Sequence, residues 1–125
     1  MKAFGVVNDK KMRTSLRLPQ PVLKKIADSL ITNDYSLKYR SRWICEALDE
    51  FIQIDEYPDL IAEQFMDKGD NEVIPITLRH QAHQQLAVAA QGYVERFNTA
   101  VIDQSDILRA AIIHRLIHEA GGVVA

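Results

Sequence analysis

The chain has 125 residues, 47% of them hydrophobic and 26% charged, and a net charge of −2. It is too short for a large multidomain enzyme, and no stretch reaches the roughly 20 apolar residues that a membrane span requires. The small net charge hides an uneven spread: residues 1–52 carry ten Lys or Arg against six Asp or Glu, residues 53–72 one against seven, and residues 73–125 four against four. A basic first half, an acidic connector and a neutral second half hint that one face meets nucleic acid, although most charge runs are simply solvated surface.

Residues 1–11 read as a flexible arm. Their short apolar patch lacks the long apolar core and the small-residue cleavage site of a signal peptide, so a cytoplasmic protein is expected. "MRTSLRLP" then alternates, with Met12, Thr14, Leu16 and Leu18 on one side and Arg13, Ser15 and Arg17 on the other. This is the pattern of a short half-buried strand. Pro19 and Pro21 end it and open a first helix. Val22, Leu23, Ile26, Ala27, Leu30 and Ile31 recur there at helical spacing, with Lys24, Lys25 and Asp28 outward.

After the polar turn "TNDYSLKYRS", Ser41 is placed to cap a second helix. Its apolar stripe is Ile44, Ala47, Leu48, Phe51 and Ile52, with Trp43 at the border. The lone Cys45 lies inside this pattern, where a buried structural thiol is expected. Pro58 opens a third, acidic helix, "PDLIAEQFMDK", which Gly69 stops.

The order then repeats. "VIPITLR" alternates again, "HQAHQQLAVAAQGYV" is a helix, "ERFNTAVIDQ" a turn four residues longer than its counterpart, and "SDILRAAIIHRLIHEAG" a last helix ending at Gly121. A shift of sixty lays Leu16 on Ile76, Leu18 on Leu78 and Ile26 on Leu86. With the four-residue insertion, Ser41 falls on Ser105, Ile44 on Leu108, Ala47 on Ala111 and Leu48 on Ile112. Apolar positions match while surface positions do not, as expected of one fold used twice with unequal surfaces. The units span residues 12–54 and 73–121, joined by an acidic helical linker at 55–72, and they are expected to share one core.

A lone strand leaves backbone groups unpaired, so each needs a partner. The economical solution is an antiparallel ribbon over the helices, giving a mostly α fold with a short two-stranded antiparallel ribbon. Pairing within one chain and pairing across two bury the same apolar faces, and both remain open. Pro75 is compatible with a ribbon strand if the parity of Val73, Pro75 and Thr77 donates nothing to the partner.

The free face of such a ribbon carries Arg13, Ser15 and Arg17. A ribbon fits the major groove of B-DNA, where Arg donates two hydrogen bonds to guanine and a hydroxyl contacts either type of base. A solvated strand face would show the same alternation; the repeat and the charge asymmetry favour the DNA reading. Around Ser41, the cations Lys38, Arg40 and Arg42 flank a helix start, whose free N–H groups attract phosphate.

These residues resemble the ribbon-helix-helix family of DNA-binding proteins, the MetJ/Arc class. The resemblance rests on the alternating strand ending in proline, the first amphipathic helix and the frame of Ser41, Ile44, Ala47 and Leu48. Two units in one chain resemble the tandem form of TraY-type proteins. The resemblance implies base readout by Arg13, Ser15, Arg17 and Thr77, and phosphate contacts from Lys11, Lys38, Arg40, Ser41, Arg42, Arg79 and Ser105. It implies double-stranded DNA as partner, with a homodimer or higher oligomer forming on it. The expected role is a transcriptional repressor or autoregulator; the alternatives are an accessory protein of plasmid transfer or partition, and an antitoxin whose acidic helix masks a toxin. Val73 and Pro75 depart from the pattern because they offer no hydrogen-bonding side chain.

His80, His83, His114 and His118 share helix faces, which invites a metal. No cysteine or carboxylate cluster accompanies them and His83 falls on the core position of Leu23, so neither metal nor cofactor is expected. With no phosphate-binding glycine loop, activated nucleophile or apolar carboxylate pair in the sequence, an enzyme is not expected either.

Overall fold

The structure, a computed structural model, describes residues 11–63, 71–99 and 102–120. The first strand β1 (Lys11–Pro19) leads directly into α1 (Gln20–Thr32), a 3₁₀ turn at Leu37–Tyr39, α2 (Arg40–Phe51) and the short α3 (Tyr57–Glu63). The second strand β2 (Asn71–Arg79) leads into α4 (His80–Phe97) and then α5 (Gln104–Glu119). The fold is therefore mostly helical with a two-stranded antiparallel sheet.

β1 and β2 pair within the one chain, from Lys11 opposite Arg79 to Pro19 opposite Asn71, with Ser15 opposite Pro75 at the centre. The strand parities follow from the pleat. Thr77 N–H turns away from β1 and donates to Ser41 Oγ at 2.9 Å, and Arg17 N–H turns away from β2 to Ser105 Oγ at 3.2 Å. Residues two apart along a strand face the same way, so the missing N–H of Pro75 points outward and no ladder bond is lost.

Beneath the ribbon, Leu16 and Leu18 of β1 and Ile74, Ile76 and Leu78 of β2 join Ile26, Leu30, Ile44, Leu48, Phe51, Leu86, Leu108 and Ile112 in one buried cluster. The strands begin sixty residues apart, as do α1 and α4, while α2 and α5 begin sixty-four apart. The internal repeat is thus a repeat of elements, and an approximate two-fold axis runs through Ser15 and Pro75, which are both equivalent and paired.

Several local expectations need correction. The four extra residues of the second copy lengthen α4 rather than the turn after it. Tyr93 is buried, Arg96 pairs with Asp59 at 3.3 Å, and Asn98 ends the helix in the left-handed conformation that asparagine tolerates. Trp43 lies inside the core, at 4% exposure, because Arg115 of α5 stacks over its ring at 4.8 Å and donates to its carbonyl at 2.9 Å. Ile31 is 63% exposed, one position beyond the face that α1 buries through Ile26 and Leu30. The strands start at Lys11 and Asn71, earlier than the alternation indicated, so Lys11 belongs to the ribbon and not to an arm. Gly69 and Gly121, expected to end helices, lie outside the described residues.

The acidic α3 is part of the core. Ile61 is buried and the Tyr57 ring meets Phe51 at 6.1 Å, so its apolar side is already occupied within the chain.

Candidate nucleic-acid interface

The ribbon buries one face and leaves the other in solvent. On the free face Lys11, Arg13, Ser15 and Arg17 of β1 stand opposite Arg79, Thr77, Pro75 and Val73 of β2. All are exposed except Thr77, which is half-buried. Lys11, Arg13 and Arg79 make no ion pair with another described residue, so three cations cluster uncompensated at one end. Arg17, at the other end, pairs with Asp103.

The start of α2 lies along the outer edge of β2. Ser41 Oγ holds the Thr77 N–H, and Arg40 reaches the carbonyl of Pro75 at 3.5 Å. Lys38, in the preceding turn, is exposed, and Arg42 pairs with Glu46 one turn on at 3.2 Å. Arg42 and Arg79 also line one shallow cavity of about 200 Å³ with Cys45 and Asp49. Of the basic residues expected around Ser41, Arg42 is therefore brought beside Arg79 and Arg40 onto the edge of β2 at Pro75. Ser41 itself is not the helix cap: the cap is Tyr39, two residues earlier, and the hydroxyl of Ser41 is diverted to the strand.

The start of α5 lies along the outer edge of β1 and differs. Its cap is Asp103, whose carboxylate accepts from the Ser105 N–H at 3.0 Å and pairs with Arg17. Ser105 is 4% exposed and its oxygen accepts the Arg17 N–H. Buried Asp106 and Arg109 pair with each other one turn on. Sequence reasoning missed both Asp103 and Arg115. Asp103 was legible as the capping type of residue two positions before Ser105. Arg115, bonded across helices to Trp43 and Glu46 and along its own helix to Glu119, carried no local signal for the contacts to α2.

The histidines do not converge. His114 and His118 stack with ring centres 5.7 Å apart on α5, whereas His80 and His83 sit on α4. Among the described residues no group of three or more His, Cys, Asp or Glu could hold a metal ion. Burial pushes the Cys45 thiol above its ordinary pKa, against the opposing pull of the Arg79 backbone N–H. None of the described helices is long and apolar enough to cross a membrane.

No family model matches this chain, and neither the curated proteins nor the solved structures include a significant match.

Proposed function

We propose that this protein is a tandem ribbon-helix-helix DNA-binding protein that lays its ribbon in the major groove of double-stranded DNA and acts as a repressor of its own or a neighbouring operon. One observation carries the reading: the exposed ribbon face presents Lys11, Arg13, Arg17 and Arg79 with Ser15 and Thr77 between them, over a rigid core and beside the cationic start of α2. A two-stranded ribbon matches the width of the major groove, Arg suits guanine, and the hydroxyls suit either type of base. Lys38, Arg40 and Arg42 supply the positive charge for the phosphates beside that groove.

The test is binding of the full chain to genomic duplex fragments, followed by footprinting of the preferred site. Replacing Arg13 and Arg17 together by Ala lowers affinity for that site by about 2 kcal/mol or more and flattens the preference among bases. Arg40→Ala instead weakens all duplexes alike and reduces the salt dependence. Absence of binding to any duplex at low salt refutes the reading. A site at a promoter supports repression; one at a transfer origin or partition locus assigns the protein to plasmid DNA processing.

A further inference from the structure

Relating the two copies by their approximate two-fold axis turns nearly every candidate contact into a different residue. Arg13 is replaced by Val73, Ser15 by Pro75 and Arg17 by Thr77. Along the flanks the contrast is one of charge: Lys38 corresponds to Ile102, Tyr39 to Asp103, Arg40 to Gln104 and Arg42 to Asp106. The α2 flank thus carries exposed Lys38 and Arg42 with Arg40 between them, where the α5 flank carries the Asp103 carboxylate, Asp106 being buried against Arg109.

The ribbon is polarised along its length as well. Lys11 and Arg79 face each other at one end, with Arg13 next to them, while at the other end Arg17 stands opposite uncharged Val73. Arg17, the cation closest to that end, has its guanidinium paired with Asp103. A duplex carries the same phosphate charge on both sides of its groove. Only one flank and one end of this surface attract it, and Asp103 repels it at the opposite flank.

The geometry points to a non-palindromic DNA site bound in a single orientation, with phosphate grip confined to the α2 flank, base reading centred on Arg13, and Asp103 restraining both Arg17 and the second flank. The inference rests on the DNA-binding reading above and deepens it. Phosphate contacts fix register and orientation, so unequal flanks suffice to make one orientation win even where base contacts are few.

Selection by the full chain from a pool of random duplexes, followed by phosphate-ethylation interference on the recovered site, tests it. The expected site lacks two-fold symmetry, and the interfering ethylations cluster on one side of the groove. Arg40→Ala makes ethylation there inconsequential. Asp103→Asn retains a good cap, so the helix persists, while the negative charge and the hold on Arg17 are lost. Affinity is expected to rise several-fold and the salt dependence to steepen by about one phosphate equivalent. Circular dichroism of the variant confirms that it is folded. A palindromic site with interference on both flanks, or an unchanged or lowered affinity for folded Asp103→Asn, overturns the inference while leaving DNA binding standing. Recovery of no duplex overturns both.

Discussion

Ser41 Oγ accepts the N–H of Thr77 at 2.9 Å, and at the equivalent place in the other copy Ser105 Oγ accepts the N–H of Arg17 at 3.2 Å. Each copy thereby satisfies an outward-facing strand donor belonging to its partner copy. The two serines, which as a repeated sequence feature suggest two helix caps, are instead the stitches between the units.

Removing either hydroxyl leaves a backbone donor without its acceptor. Because Ser105 is buried and Ser41 only half-buried, Ser105→Ala is expected to cost about 1–3 kcal/mol and Ser41→Ala less, since water can replace the latter hydroxyl. Urea denaturation of the two variants checks the order. Equal, negligible losses would mean that the edge donors find other partners.

Gly92 sits in the interior of α4, where alanine would ordinarily gain about 1 kcal/mol. A Cβ at this position would collide with the Tyr57 hydroxyl and approach its Cζ to 3.0 Å. Tyr57 packs on Phe51 and donates a hydrogen bond of 3.4 Å to the carbonyl of Val88, so its ring must swing away and give up these contacts. Gly92→Ala is therefore expected to destabilise by about 1–3 kcal/mol despite its better propensity. The penalty should shrink in a Tyr57→Ala background, which a double-mutant cycle measures.

His114 lies edge-on to Phe51 at 5.9 Å, and burial, reinforced by neighbouring His118 and opposed by Glu50, lowers its pKa. The folded state therefore binds this proton less readily than the unfolded chain, whose histidines titrate near about 6.5. Its contribution to stability is complete above that value and declines as pH falls through it. The urea midpoint is expected to drop between pH 7.5 and 5.5, and His114→Gln to make the drop smaller. An unchanged pH slope in the variant would show that His114 is not its source.

Cys45 is half-buried with its pKa raised, so little thiolate is present at neutral pH. Iodoacetamide should alkylate the native protein slowly at pH 7.5 and much faster in denaturing urea. Rapid native alkylation would contradict a structural role.

The elements were legible because their patterns are local. Period-two alternation over residues 12–18 and 73–79 exposes one strand face, and apolar spacing marks the helices. The repeat even anticipates that Leu16 and Ile76 are equivalent core positions. Ile31 and Trp43 were misjudged for a common reason: the spacing of apolar residues defines a stripe, but its width depends on what covers it. Arg115, arriving from α5, closes over Trp43, while Ile31 is left in solvent.

The sequence by itself determined the two strand-helix-helix copies, the buried side of each strand, and the identity of the residues on the free face, since each depends only on chain periodicity and charge. Tertiary structure alone decided that the strands pair within one chain with Ser15 opposite Pro75, that the serines bridge the copies, that α3 is core, and that Asp103 engages Arg17. These contacts join residues as many as eighty-eight positions apart. No local pattern encodes them, because which groups meet is set by how the two apolar faces close on each other.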